Sequence, residues 1–196
     1  MKDTTAYYDR HAPQFVEETL GVDMTPLYER FLPLIPAGGP ILDAGCGSGR
    51  DARAFRDLGY RVSAFDASPA MVEAAARHLD APVQLLRFQD VRWKDHFDGI
   101  WACASLLHVP HAELTDALSR LSDALRPAGA LYVSFKYGRG EREHKGRRFT
   151  DLDESTLAEL LEAVPNLKVL KTWTTGDLRP GREAERWLNA LLRKAD

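Results

Sequence analysis

Ile41-Leu42-Asp43-Ala44-Gly45-Cys46-Gly47-Ser48-Gly49-Arg50 reads as a buried-type strand that runs into a glycine-rich turn and then into a helix. Glycine here lets the backbone bend sharply and lets a ligand approach without meeting a Cβ, while the helix start offers free N–H groups. A nucleotide-like ligand is implied. Asp66 follows about 20 residues on, at the end of the next strand, where a carboxylate accepts hydrogen bonds from both hydroxyls of a ribose. A dinucleotide fingerprint would need G-x-G-x-x-G, but the loop runs G-x-G-x-G and Arg50 takes the last position. Asp43, just before the loop, would sit badly against a pyrophosphate and well against a cation or an ammonium group.

Outward from this loop, apolar runs of strand length alternate with longer segments of helical period, the pattern of a parallel sheet covered by helices. Strands are expected over Pro40–Ala44, Arg61–Phe65, Val83–Phe88, Phe97–Ala102 and Ala130–Phe135. Helices are expected over Arg50–Leu58, Ala70–Leu79 and Glu113–Leu125, with Ser68-Pro69 as a helix start and Pro127-Ala128-Gly129 as a stop. Thr5–Thr19 and Thr25–Leu34 read as helical segments able to close over one end of the core. Glu154–Leu161 reads as a further helix, and Leu167–Trp173 and Arg186–Leu192 as strands pairing antiparallel at one edge. Lys136–Arg148 carries six Lys or Arg and two Glu, is broken by glycines, and is expected to be a mobile basic loop.

Composition narrows the class. A chain of 196 residues should expose roughly 9,000 Å² folded against roughly 32,000 Å² extended, enough for one full core. Hydrophobic residues at 44% and charged residues at 28% match an ordinary globular domain. A formal net charge of −3 argues against affinity drawn from a broad attraction to phosphates. Cys46 and Cys103 form no disulfide framework and lack the paired spacing of a zinc site, so no metal is expected and a reducing cytoplasm fits. The first residues are polar, with no apolar run for a signal peptide, and no stretch approaches the ~20 apolar residues of a bilayer span.

The successive motifs I-L-D-A-G-C-G-S-G-R, V-S-A-F-D-A-S, F-Q-D-V at Phe88–Val91 and F-D-G-I-W-A-C-A-S-L-L-H-V at Phe97–Val109 resemble those of class I S-adenosylmethionine-dependent methyltransferases. L-R-P-A-G-A-L-Y-V-S-F at Leu125–Phe135 resembles the strand and lead-in that follow them in that family. Within it, the chain is similar to the small single-domain enzymes of the ubiquinone-biosynthesis and tellurite-resistance type, which methylate small molecules. The resemblance implies a Rossmann-like, doubly wound α/β fold: a mostly parallel seven-stranded sheet with an antiparallel edge strand and helices on both faces. A single domain over 1–196 is expected, with a helical lid over 1–36, a cofactor-binding core over 37–135, and a basic loop, helix and edge strands over 136–196.

The cofactor implied is S-adenosylmethionine, with S-adenosylhomocysteine as product. Residue by residue, the resemblance places Gly45, Gly47 and Gly49 beneath the methionine part, with Asp43 reaching its ammonium and Asp66 holding the ribose. Ala67 and Met71 would pack against adenine and Gln89, Asp90 and Val91 would border it, Asp90 accepting from its exocyclic amine. Ala44, Cys46, Arg50 and Ser105 would complete the pocket. Tyr8 matches the aromatic of a Y-D-x-x-A lead-in whose hydroxyl approaches the cofactor, with Tyr7 the alternative register.

The end of the fourth strand, Ala104–Pro110, must face the methyl group. It carries neither the Asn/Asp-Pro-Pro-Tyr type of motif used on exocyclic amines nor a Pro-Cys for cytosine C5, which argues against DNA. His108 is the one titratable group there that takes a proton near neutral pH, and is the candidate catalytic base. His108, Tyr137, Arg142 and Arg148 are the candidate contacts of a small, anionic acceptor, with Trp173, Arg179 and Arg182 joining from the later edge loop. The alternatives are a tRNA or protein methyltransferase, for which only the basic stretch speaks, and a module that binds the cofactor without turnover.

Overall fold

The computed structural model describes residues 4–179, 181–182 and 184–196. Helices α1 (Thr4–Leu20) and α2 (Thr25–Phe31) precede β1 (Pro40–Ala44), α3 (Arg50–Asp57), β2 (Arg61–Asp66), α4 (Pro69–Leu79) and β3 (Gln84–Leu85). Then come β4 (Phe97–Ala102), α5 (His111–Ala124), β5 (Leu125–Lys136), a hairpin of β6 (Gly140–His144) and β7 (Arg147–Asp151), α6 (Glu154–Glu162), β8 (Leu167–Gly176) and β9 (Arg186–Lys194).

The seven-stranded sheet has the order β3-β2-β1-β4-β5-β9-β8. β3, β2, β1, β4 and β5 pair in parallel, while β9 runs antiparallel to both its neighbours. The antiparallel strand therefore lies one in from the edge, which β8 forms. β1 is buried along its whole length, as a central parallel strand covered on both faces must be. Its residues alternate: Leu42 and Ala44 join Ile100, Ala102, Leu131 and Val133 beneath α5 and α6, whereas Ile41 packs with Phe31, Phe55, Trp101 and Tyr132 beneath α2 and α3. On α5 the stripe Leu114, Ala117, Leu118 and Leu121 faces that first layer. Ser68 caps α4 by accepting from Met71 N (3.2 Å), with Pro69 as its first residue.

Two expected elements turn out differently. The strand expected over Val83–Phe88 is only Gln84–Leu85, because the chain coils at Phe88–Asp90 to set the Phe88 ring edge-on against Phe65 at 5.3 Å. The basic stretch expected to be a loop is the end of β5 followed by the β6–β7 hairpin. Lys145 and Gly146 both take positive φ at its tip (51° and 78°), the turn geometry that matches the twist of paired strands. The hairpin lies beside the short helical turn Leu106–His108, with Thr150 Oγ1 donating to Val109 O at 2.8 Å.

Candidate active site

Strand order reverses between β1 and β4, and the carboxyl ends of these strands open into one cavity of about 1130 Å³. That is the crevice in which doubly wound sheets bind ligands. The glycine loop forms its floor. Gly45 N and Cys46 N both donate to Phe65 O at 2.9 Å, stitching the loop to the end of β2. Gly45, Gly47 and Gly49 carry φ of 77°, 54° and 79°, a region costly to any side chain. A Cβ on Gly47 would stand 3.2 Å from Phe15 Cε1, and both residues line the cavity.

Asp66 holds this loop from the next strand. Its carboxylate accepts from Gly47 N and from Ser68 N, each at 2.9 Å. Each oxygen retains acceptor capacity for a further donor. Burial raises its pKa against the pull of those N–H groups.

Asp43 and Asp51 sit deeper. One oxygen of Asp43 accepts from Ala52 N at 3.0 Å, and burial, with the Asp51 charge behind it, pushes this carboxyl well above the usual range. Burial acts on Asp51 too, yet Arg50 together with the hydroxyl and indole donors holds it low. It accepts from Arg50 Nε (2.6 Å) and Nη2 (2.9 Å), Tyr28 Oη (2.5 Å) and Trp101 Nε1 (2.8 Å).

The roof is α1. Asp9 accepts from Ser68 Oγ at 2.5 Å, Thr19 Oγ1 donates to Ser48 Oγ at 3.1 Å, and Tyr8 Oη lies 2.8 Å from His108 Nε2. His108 Nδ1 is 2.7 Å from Arg148 O. A carbonyl only accepts, so Nδ1 carries the proton, and neutral Nε2 accepts from the Tyr8 hydroxyl. Burial brings His108 down to about 4, despite the Arg148 carbonyl, so the ring is neutral at pH 7.

Comparison with known proteins now bears on this geometry. Residues 41–129 match the methyltransferase domain family. The chain is 30% identical over 139 residues to a ubiquinone biosynthesis O-methyltransferase of Xylella fastidiosa, covering 67% of this chain and 54% of that one. The chain belongs to the class I S-adenosylmethionine-dependent methyltransferases. A malonyl-[acyl-carrier protein] O-methyltransferase of Pseudescherichia vulneris is 31% identical over 171 residues, 80% of this chain and 63% of that protein. The chain thus spans about half the length of the first of these relatives and under two thirds of the second. In fold it is similar to the Burkholderia thailandensis 1,6-didemethyltoxoflavin-N1-methyltransferase, crystallised with 1,6-didemethyltoxoflavin and S-adenosylhomocysteine, at a TM-score of 0.74 and 23% identity over 100% of this chain and 92% of that one.

The residues at this cavity fit the family's cofactor. Among the described residues Asp43 is a buried carboxyl that forms no ion pair, a place an ammonium group would fill. Asp66 faces the cavity with acceptor capacity left, and the loop offers backbone where a Cβ would intrude. Of the residues expected to bind cofactor, Tyr8, Asp43, Gly45, Cys46, Gly47, Arg50, Asp66, Ala67, Met71, Gln89 and Ser105 line the cavity. Ala44, Gly49, Asp90 and Val91 are not among its lining. Val91 is 2% exposed in the core beneath α5, Asp90 borders a separate shallow pocket, and Gly49 abuts Ala75 on α4, where a Cβ would come within 3.1 Å. Ser105 donates to Ala44 O at 2.7 Å and Gln89 to Glu113 at 2.6 Å.

The expected acceptor contacts line the cavity as well, but each has an internal partner. Tyr137 Oη donates to Glu154 (3.0 Å), Arg142 is forked onto Asp151 (2.5 and 3.2 Å), and Arg148 Nη1 reaches Glu141 (2.9 Å). Arg179 and Arg182 reach the cavity, whereas Trp173 packs on the α2 side beneath Arg30. Arg147, one of the basic residues of the Lys136–Arg148 stretch expected to suit an anionic acceptor, lines the cavity too, as does Asp51, which did not stand out in the sequence. The signal for Asp51 was available: buried Tyr and Trp need polar partners, and an acid opening a helix offers one.

Proposed function

We propose that the chain transfers a methyl group from S-adenosylmethionine to an oxygen of a small, acidic acceptor in a reducing, cytoplasmic setting. The observation that carries this reading is one cavity lined both by the loop–Asp66 floor and by the Tyr8–His108 pair, so that donor and acceptor share one space. The oxygen specificity draws on the relatives' names, both O-methyltransferases. The compartment draws on the two free cysteines.

S-adenosylmethionine, when bound, supplies a methyl on a positively charged sulfur, to which the acceptor's lone pair bonds while the S–C pair stays with sulfur. Asp66 takes the ribose hydroxyls and Asp43 the ammonium group. Gly45 and Gly47 give the methionine part its backbone bed. Tyr8 and α1 close the cavity from above, excluding water and fixing the line of approach, which is the chief demand of an in-line displacement. His108 orders Tyr8 through its neutral Nε2. A base whose conjugate acid titrates near 4 takes a proton reluctantly, so an acceptor that arrives already ionised suits this site best.

Calorimetric titration with S-adenosylhomocysteine tests the donor half. The product should bind the wild-type chain, and Asp66→Ala should weaken it by roughly 2 to 4 kcal/mol, since two hydrogen bonds to a charged group are lost. Methyl-labelled S-adenosylmethionine offered with hydroxybenzoates and short carboxylic acids should label an acceptor oxygen. Failure of the wild type to bind S-adenosylhomocysteine, or equal binding by a folded Asp66→Ala protein, would sink the reading.

A further inference from the structure

Most cations around the cavity are already spoken for. Arg50 is paired with Asp51, Arg142 with Asp151, Arg148 with Glu141, Arg179 with Asp177, and Lys136 with Asp177 and Glu185. Arg147, the first residue of β7, lines the same cavity. No ion pair joins it to a carboxylate among the described residues, and its Nε is buried without a hydrogen-bond partner. Ring faces hold it instead: the guanidinium carbon lies 4.5 Å from the centre of Tyr7 and 5.2 Å from that of Phe149. Rings of this kind stabilise the flat face of a guanidinium. Its Nε–H stays in the plane with no acceptor, and a buried donor left unsatisfied is costly.

We propose that Arg147 anchors the acceptor by its oxyanion, the carboxylate or phenolate of an aromatic acid, in the cavity beside Tyr8 and His108. This deepens the methyl-transfer reading and rests on it for the purpose of the anion, but not for its binding. Three features converge. The guanidinium has the fork that matches a carboxylate, and its Nε is buried facing no acceptor. The cavity wall also carries the Phe149, Tyr8 and Phe15 rings, Phe149 against Arg147 and Phe15 against Tyr8, which suits an aromatic body. His108 is neutral and engaged by Tyr8, so the positive charge needed to hold an acceptor as an anion comes from Arg147.

Isothermal titration with benzoate, 4-nitrophenolate and benzamide tests the proposal, run on the full chain with and without saturating S-adenosylhomocysteine. The wild type should bind at least one of the two anions, and bind neutral benzamide at least about tenfold more weakly. The stronger anion identifies the head group. Arg147→Gln should lower anion affinity about 10- to 100-fold while the Kd for S-adenosylhomocysteine stays within about twofold, and Arg147→Lys should recover part of the loss. An Arg77→Gln change on the exposed face of α4 should leave both affinities unchanged. Absence of anion binding to the wild type overturns the proposal, as does equal anion affinity in Arg147→Gln. So does a matching loss of S-adenosylhomocysteine affinity, which would make Arg147 a clasp for α1. Should the Gln variant not fold, the Lys variant and the benzoate–benzamide contrast still decide. If the wild type binds the anion through Arg147 but not S-adenosylhomocysteine, the methyl-transfer reading falls and the anion site stands.

Discussion

His108 links what the protein binds to how stable it is. In the native chain burial keeps it neutral down to about pH 4, against 6.5 for a free imidazole. Between these values the unfolded state binds a proton that the native state refuses, so stability is fully present above pH 6.5 and is lost as pH falls toward 4. The loss attributable to this one residue is on the order of 3 kcal/mol. Urea unfolding from pH 7.5 to 4.5 should therefore show a steeper acid loss in wild type than in His108→Gln, and parallel profiles would contradict the neutral, buried ring. Asp43 and Asp66, whose folded values are raised, act in the opposite sense, but equally in both proteins. At this scale the sequence exposes residues whose placement is local: that Gly45, Gly47, Asp66 and Tyr8 meet at one cavity was legible because a turn, a strand end and a lead-in each announce themselves within a few positions. Asp51 was not, and Arg147 was legible only as one basic residue among several. Asp51 draws its partners from Tyr28 and Trp101, 23 and 50 positions away, and Arg147 is distinguished only by the absence of the carboxylates that its neighbouring arginines found.

Helix α1 crosses the cavity with little core of its own, since only Ala12 and Thr19 are buried along it. Pro13 removes one backbone bond and His11 leaves the helical region (φ −116°), so the helix bends over the glycine loop. Side-chain tethers hold it there, and Asp9 makes the shortest of these: besides Ser68 it accepts from Ala70 N at 3.3 Å, at the positive end of α4. Removing that carboxylate should cost about 1 kcal/mol of docking, raising the undocked population about fivefold. Asp9→Ala should accordingly be cut faster by trypsin at Arg10 and should release S-adenosylhomocysteine faster by a similar factor, with the melting of the core little changed. Unaltered cleavage and release rates would show that α1 is held elsewhere. The period of α1 was readable in advance, but not the β6–β7 hairpin. All five residues of β6 are exposed, so no apolar alternation marks the strand, and its pairing depends on the Lys145-Gly146 turn and on burial of Phe149 and Thr150 from the other side.

Across the whole molecule, the parallel half of the sheet was legible because each strand is a short apolar run between helices, and the reversal between β1 and β4 follows once such units wind both ways. The pattern also placed Leu167–Trp173 and Arg186–Leu192 as an antiparallel pair at one edge; what it left open was their order, with β9 beside β5 and β8 closing the sheet. β8 exposes Lys168, Val169, Leu170 and Lys171, with Val169 and Leu170 each 46% exposed, a run that invites another strand. Two devices blunt it. The pairing register with β9 shifts between Val169 and Lys171, leaving Leu170 as a bulge, and lysines flank the apolar pair. If the charges protect this edge, Lys168→Val/Lys171→Val should leave the fold and the cavity intact while adding an apolar edge strand of four consecutive residues. Sedimentation of the double variant should then show a weight-average mass that climbs with protein concentration, to about double the wild-type value measured under the same conditions, and S-adenosylhomocysteine affinity should not change because β8 residues 168–171 lie outside the cavity wall. Identical sedimentation of the two proteins would assign the protection of this edge to the bulge alone.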